Sequence, residues 1–333
     1  MKILVFDADA TVRDVFAASL PNQAIEYIDT CVSDEVLAVH ADTEIISLFT
    51  TSTLTAAQID TLPQLKLIVA RSTGVDHIAL AHAKEKGVVV SNVPKYGAHT
   101  VAEFTFALML SLSRHIFDGV CQVKEDGNFD TSALEGFDLF GKTLGVLGTG
   151  AIGRNVVAVA RGFGMRVLMF DKFPNTALET DDTKYVALDD LLAQSDIITL
   201  HVPSTPENAH MLSVEQFTKM KKGVFLINTA RGDLIDTNAL LEALENGIVA
   251  GAGLDVLEGE RALHDEMNLV RGNQSINDFK MVIENHVLQR HPKVLITPHV
   301  AFFSREAYHE ILSTSVADIT QFIAGTPQNV VMS

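Results

Sequence analysis

Three short stretches in the C-terminal half of the chain carry residues suited to holding an anion and moving a proton. Ile227-Asn-Thr-Ala-Arg-Gly-Asp233 offers Arg231, Leu254-Asp-Val-Leu-Glu-Gly-Glu260 offers Asp255 and Glu260, and Ile296-Thr-Pro-His-Val-Ala301 offers His299. Interconverting a 2-hydroxy acid and a 2-keto acid needs a cation for the carboxylate and a group that takes or returns the hydroxyl proton. Arg231 and His299 can fill those two needs, and an acid can hold the histidine in position. Taken singly each has a plainer reading. Arg231 could pair with Asp233 or Asp236 on the surface, His299 could simply end a strand, and Glu260 could be solvated, since most charged residues lie outside. Together, at the ends of successive predicted strands where open α/β sheets bind ligands, they form a candidate site.

A hydride also needs a carrier, and the stretch Thr143-Leu-Gly-Val-Leu-Gly-Thr-Gly-Ala-Ile-Gly-Arg154 reads as a dinucleotide cradle. The apolar run Leu144, Val146, Leu147 predicts a buried parallel strand, and a helix follows over about 151–163. Gly148 permits a tight turn, Gly150 lets a pyrophosphate touch the backbone, and Gly153 lets helix and strand pack closely. The phosphates then meet Ala151 and Ile152 at a helix N-terminus, where unpaired N–H groups and the helix dipole favour negative charge. A second strand, Arg166-Val-Leu-Met-Phe-Asp171, ends in an acid. A carboxylate there accepts ribose hydroxyls and repels a 2′-phosphate, which predicts NAD rather than NADP. The plainer reading is that Asp171 merely ends a strand; the order strand, glycines, helix, strand, acid favours dinucleotide binding.

The elements that must position these residues fall into two α/β domains. Residues 1–99 alternate short apolar runs (Ile3 to Phe6, Ile25 to Ile28, Glu44 to Phe49, Leu65 to Ala70, Val88 to Ser91) with helical patterns near 11–19, 55–61 and 79–86. Such alternation predicts a parallel sheet covered on both faces. A long buried helix over about 100–115 leads into a second unit, residues 100–298, with strands near 144–148, 166–171, 196–201, 223–228, 250–256 and 294–298. Residues 299–333 contain an amphipathic helix over 304–324 that cannot bury its own apolar face and is expected to return to the first domain.

Composition narrows the partners. The 333 residues are 47% hydrophobic and 20% charged, as in an ordinary globular chain, with 42 acids against 25 Lys and Arg for a net charge of −17. That balance argues against nucleic acid, and it demands a locally placed cation for an anionic substrate. Cys31 and Cys121 show no pairing pattern or metal-ligand spacing and are expected as small core residues in a reducing compartment. The remaining histidines, among them His77, His82, His210, His286 and His291, lack the HExxH arrangement, so no metal is expected. The N-terminus runs directly into a strand without a signal-peptide layout, and no apolar run reaches membrane-spanning length, so a cytoplasmic protein without a membrane partner is expected.

Across essentially its whole length the chain resembles the D-2-hydroxyacid dehydrogenases. The likeness lies in the glycine fingerprint with Asp171, in Leu200-His-Val-Pro203, in Asn228-Thr-Ala-Arg-Gly232, and in the Asp255-to-Glu260 and Thr297-Pro-His299 stretches. The resemblance implies a Rossmann NAD domain inserted in a flavodoxin-like substrate domain, two doubly wound parallel sheets with an active-site cleft between them, and a homodimer formed through the NAD domain. It implies that Arg231 binds the substrate carboxylate and carbonyl, Glu260 hydrogen-bonds the histidine, and His299 is the acid/base. By the same likeness Gly148, Gly150, Ala151, Ile152, Gly153, Asp171, His201, Val202, Pro203, Thr229, Ala230 and Asp255 meet NAD. Asp255 is implied to face the nicotinamide carboxamide and His201 to lie near the adenosine. Thr73, Gly74 and Tyr96 are implied to meet substrate, together with Phe302.

Within the family the bacterial D-lactate dehydrogenases are the nearest likeness. Pro94-Lys-Tyr96 places a tyrosine where they have one, Phe302 falls where an aromatic narrows their pocket, and the long polar segment Arg261 to Lys293 looks like theirs. Arg261 stands where many members have proline, and Thr73 replaces the usual aliphatic residue before Gly74. The expected reaction is reduction of pyruvate to D-lactate. The rivals are a dehydrogenase for 2-ketoisocaproate, phenylpyruvate, glyoxylate or hydroxypyruvate, and an NADH-sensing protein like the corepressors that share this fold.

Overall fold

The computed structural model describes residues 1–260 and 276–331. Residues 261–275 of the long polar segment, Arg261 among them, lie outside the described residues. The chain divides into two compact units, Met1–Gly97 with Phe303–Ser333, and Ala98–Phe302.

The first unit holds five parallel strands, β1 (Lys2–Val5), β2 (Ala24–Tyr27), β3 (Ile45–Leu48), β4 (Leu67–Ala70) and β5 (Val89–Ser91), in the order β2-β1-β3-β4-β5. Strands β3 and β4 are buried at every residue, as continuous apolar runs covered on both faces must be. Edge strand β2 alternates exposed and half-buried positions. Helix α1 (Ala10–Ser19) starts where the Asp9 carboxylate accepts the Val12 N–H. Helices α2 (Asp34–Val39), α3 (Ala56–Asp60) and α4 (Leu80–Glu85) complete the first stretch. Helix α2 was not expected; it is six residues long with only Leu37 buried, too short for an apolar period to show. The C-terminal helix Arg305–Ile323 packs on α1 and β4, burying Leu312, Val316 and Ile319 against Val12 and Phe16. It does return to the first unit, as its unpaired apolar face required.

The second unit holds seven parallel strands: β6 (Thr143–Leu147), β7 (Arg166–Phe170), β8 (Thr183–Tyr185), β9 (Ile197–Leu200), β10 (Val224–Asn228), β11 (Val249–Leu254) and β12 (Val294–Ile296). Their order, β12-β11-β10-β9-β6-β7-β8, reverses at β6, so the crevice outside the C-terminal ends of β6 and β9 is the switch point where such sheets bind ligands. Helices α5 (Ala98–Ser113), α6 (Ile116–Asp126), α7 (Ala151–Gly162), α8 (Leu188–Gln194), α9 (Val214–Lys219), α10 (Thr237–Glu245) and α11 (Ile276–Gln289) surround the sheet. The long helix α5 packs on α7, β10 and β11 through Ala102, Phe106, Leu108 and Met109. Strand β8 was not expected.

Two expectations shift. The units divide after Gly97, where α5 begins, and after Phe302, whereas boundaries at 99/100 and 298/299 were expected. The later boundary has a physical cause: the N–H groups of His299, Val300 and Ala301 all bond Asp255, which ties that stretch to the second unit. The cysteines are not core residues. Cys31 is exposed and Cys121 half-buried, and neither forms a disulfide. Cys31 lies beyond the end of edge strand β2, and Cys121 sits on α6, which buries none of its residues.

Candidate active site

The glycine turn is built as its spacing required. Gly148 has φ +94°, and a Cβ there would lie 2.7 Å from the His201 carbonyl carbon and 2.8 Å from the Val202 nitrogen. A Cβ on Gly153 would come 2.0 Å from the Gly148 carbonyl oxygen, so the first turn of α7 can sit against the loop only with glycine there. Gly150, the residue before α7, faces open space on the side where its Cβ would stand. The N–H groups of Ala151, Ile152 and Gly153 open the helix, as a pyrophosphate cradle requires. Beside them Asp171 accepts the Thr149 N–H at 2.6 Å and the Phe173 N–H at 2.8 Å. Burial pushes its carboxyl up, but these bonds outweigh it and hold the group below the usual carboxylate range.

The loop after β9 closes the other side. His201 Nε2 lies 2.9 Å from Thr199 Oγ1, while its buried Nδ1 has no hydrogen-bond partner. Burial brings its pKa down to about 3, so the ring is neutral and offers a polar atom rather than a charge. Asn208 shapes the loop by donating to the Pro203 carbonyl at 2.7 Å. The turn built for close approach, the helix N-terminus and this unmatched nitrogen together fit a dinucleotide.

Arg231, Glu260 and His299 come together within the second unit. Buried Asn228 ties the β10 loop by accepting the Ala230 N–H at 3.0 Å and donating to the Arg231 carbonyl at 2.8 Å. Gly232 then lets that loop press on the next, because a Cβ there would stand 2.0 Å from the Leu257 carbonyl carbon. That approach brings the Arg231 charge into reach of Glu260. Glu260 Oε1 lies 2.8 Å from His299 Nδ1, and Oε2 accepts the Leu257 N–H at 3.3 Å. Burial would raise the Glu260 carboxyl; the hydrogen bond and charge of His299, the Leu257 N–H and Arg231 overcome it and lower the pKa. With Nδ1 held by an ionised carboxylate, Nε2 is left to meet a substrate; among the described residues it has no hydrogen-bond partner. The Phe302 ring stands edge-on to His299, with centroids 6.4 Å apart.

Asp255 clasps the His299 loop. Its carboxylate accepts from Thr297 Oγ1 at 2.5 Å, the Val300 N–H at 3.0 Å and the Ala301 N–H at 2.8 Å, and its carbonyl accepts the His299 N–H at 2.9 Å. Burial raises its pKa against those four neighbours. A contact with a nicotinamide carboxamide would share a carboxylate already spent on positioning. Thr229 is similarly committed: the Thr105 hydroxyl donates to the Val101 carbonyl, so the Thr229 hydroxyl, 3.0 Å away, donates to Thr105.

Thr73, Gly74 and Tyr96 belong to the first unit, in the loops after β4 and β5. Thr73 donates to the Val93 carbonyl at 2.7 Å, and Ser72 to the Gly74 carbonyl at 2.6 Å, which fixes the turn that presents the Gly74 backbone. Sequence reasoning missed the clasp by Thr297 and the asparagine lock at Asn228. It also missed a second histidine–carboxylate pair, His210 Nε2 to Glu258 Oε1 at 2.5 Å. The only trace of these was their place beside the motif residues. Among the described residues no group of three His, Cys, Asp or Glu side chains could hold a metal.

The family model described as "D-isomer specific 2-hydroxyacid dehydrogenase, NAD binding domain" matches residues 106–301. The D-lactate dehydrogenase of Escherichia coli is 36% identical over 305 residues, covering 90% of each chain. An aromatic 2-oxoacid reductase of Clostridium sporogenes is 39% identical over 269 residues, covering 80% of this chain and 78% of the relative. The crystal structure of the Aquifex aeolicus D-lactate dehydrogenase, complexed with NAD and lactic acid, superposes with a TM-score of 0.86 at 34% identity, covering 97% of this chain and 96% of that one. The chain belongs to the D-isomer specific 2-hydroxyacid dehydrogenases and uses NAD.

Proposed function

We propose that this dehydrogenase reduces pyruvate to D-lactate, and that Arg231, Glu260 and His299 carry the chemistry. The observation that carries the reading is the His299–Glu260 bond of 2.8 Å, made beside Arg231 and directed so that Nε2 is left for substrate. Bound NADH supplies the hydride. His299 Nε2 gives its proton to the carbonyl oxygen as that oxygen becomes a hydroxyl. Arg231 pairs with the substrate carboxylate and offsets negative charge building on the carbonyl oxygen. The Glu260 carboxylate, kept ionised by His299, the Leu257 N–H and Arg231, fixes the ring through Nδ1 so that Nε2 faces the substrate; in lactate oxidation the neutral ring is the base.

Phe302 beside His299 supports a small side chain on the substrate, and the family resemblance assigns Thr73, Gly74 and Tyr96 to substrate as well. A methylene in an apolar pocket is worth about 1–3 kcal/mol, so preference among keto acids will be graded. A turnover panel with NADH tests the reading: pyruvate should exceed phenylpyruvate, 2-ketoisocaproate and hydroxypyruvate in kcat/KM, with D-lactate as product by a stereospecific assay. Equal or better efficiency on the bulky acids defeats the pyruvate assignment and leaves the family intact. No turnover on any 2-keto acid would favour a cofactor-sensing role.

The same reading includes a cytoplasmic homodimer. Helix α6 exposes Ile116, Phe117, Val120 and Val123 on spacings that share a face, and Phe129 and Phe140 are 82% and 79% exposed. An apolar surface of this kind is what a second copy would cover. Light scattering of the wild type should report twice the chain mass, and Val120→Glu should reduce it to one.

A further inference from the structure

Asp171 does not meet its ligand as a lone carboxylate. Its Oδ2 accepts both the Thr149 N–H at 2.6 Å and the Thr149 hydroxyl at 3.0 Å, and its Oδ1 accepts the Phe173 N–H. The Thr149 hydroxyl is in turn 2.8 Å from the Tyr185 hydroxyl, which accepts the Asn175 N–H at 3.0 Å. The direction of this chain is fixed by counting protons. An ionised carboxylate only accepts, so the single Thr149 proton goes to Asp171, and the contact with Tyr185 must be donated by the phenol. Tyr185 closes β8 and lies beside the end of β7 through the pairing of Met169 with Tyr185. Thr149 is 6% exposed, so water cannot readily replace a donor lost there.

A carboxylate offers about four acceptor positions. Three are filled here, and the one remaining lies on Oδ1. The carboxylate plane is therefore set before any ribose arrives, which lowers the cost of ordering it on binding. We infer that Thr149 and Tyr185 are cofactor-specificity residues: the relay Tyr185 to Thr149 to Asp171 holds the carboxylate where it accepts a ribose hydroxyl and repels a 2′-phosphate. The inference rests on the reading of Asp171 as the residue that meets the adenosine ribose.

Dissociation constants for NADH and NADPH, read from the rise in dihydronicotinamide fluorescence on binding, test it without relying on turnover. Tyr185→Phe should weaken NADH about three- to tenfold and Thr149→Val about tenfold, the loss of one and of two relay bonds, with NADPH little changed. The NADH to NADPH preference then narrows. Thr149→Ser keeps the hydroxyl and should keep the wild-type preference. Asp171→Ala separates the two levels of the argument. If it narrows the preference while Tyr185→Phe and Thr149→Val do not, the relay is wrong and Asp171 acts alone. If Asp171→Ala leaves the preference unchanged, the ribose reading fails and the relay with it. Equal weakening of both cofactors alongside a lower melting temperature would make Tyr185 and Thr149 merely structural and would also overturn the inference.

Discussion

Two histidine–carboxylate pairs hang from one short segment of the chain: Glu258 bonds His210, and Glu260 bonds His299. Both histidines are held in the left-handed region, at φ +52° and +53°, a conformation that costs a residue with a Cβ on the order of 1–3 kcal/mol and persists only where neighbours enforce it. Backbone bonds do so in each case, from the His210 N–H to the Asp233 carbonyl and from the His299 N–H to the Asp255 carbonyl. The carboxylates then part company. The Glu258 side chain is 15% exposed, its second oxygen accepts the Thr237 N–H and hydroxyl, and its carbonyl accepts from Asn285. It knits together the loops after β9, β10 and β11. The Glu260 side chain is 32% exposed and spends its second oxygen on one long bond to its own turn. The Glu258 carboxylate is engaged on both oxygens by separate loops and braces them, while His210 Nδ1 lies 3.9 Å from Asp236 Oδ2; what sets the Glu260–His299 pair apart is the Arg231 charge within reach of it.

The contrast can be broken by mutation, from large effects to small. His299→Ala should lower the reduction rate about 10²- to 10⁴-fold at every pH, since the donor itself is gone; steady-state assays between pH 5.5 and 9 check it. Arg231→Gln should cost about 10²-fold in kcat/KM, felt in both KM and kcat, because one cation serves the substrate carboxylate and the developing charge. Glu260→Gln should change D-lactate oxidation in a sign-specific way. The charge attraction between His299 and the Glu260 carboxylate is then gone, so oxidation activity should extend to lower pH.

The smallest effect belongs to the brace. The bond to Glu258 leads the causes that raise the His210 pKa, against partial burial, with Asp236 and Asp233 adding to it. A raised folded value means stability that is fully present below the unfolded value of about 6.5 and lost as pH rises through the folded one. His210→Gln should therefore cost more at pH 5.5 than at pH 8.5, and at most about 1 kcal/mol because the ring is nearly half exposed. Urea melts at the two pH values measure the difference.

Sequence alone made the glycine turn, Asp171, Arg231, Glu260 and His299 legible, because each sits at a strand end inside a motif with fixed spacing. The returning C-terminal helix was legible from an apolar face with nothing local to cover it. What stayed hidden depends on distant partners. Strand β8 is three residues, Thr183-Lys-Tyr185, with no apolar run, and its function lies in a hydroxyl that reaches Thr149 across the sheet. The His210–Glu258 brace joins residues 48 positions apart, both in loops. The clasp that carries the unit boundary past Phe302 depends on Asp255 turning its carboxylate to three donors from the next loop, which no periodicity records. Exposed Cys31 and half-buried Cys121 were misread because small apolar residues were assumed to be covered, and neither edge strand β2 nor helix α6 buries them.

The central claim, that Glu260 and not Glu258 serves the histidine proposed to move the proton, is tested most directly by pH profiles of kcat/KM for pyruvate reduction in wild type, Glu260→Gln and Glu258→Gln. Glu260→Gln should move the alkaline fall of the rate to lower pH while activity near pH 5.5 is largely kept, and Glu258→Gln should leave that fall in place. An alkaline limb unmoved in Glu260→Gln, or moved equally by Glu258→Gln, would contradict the account.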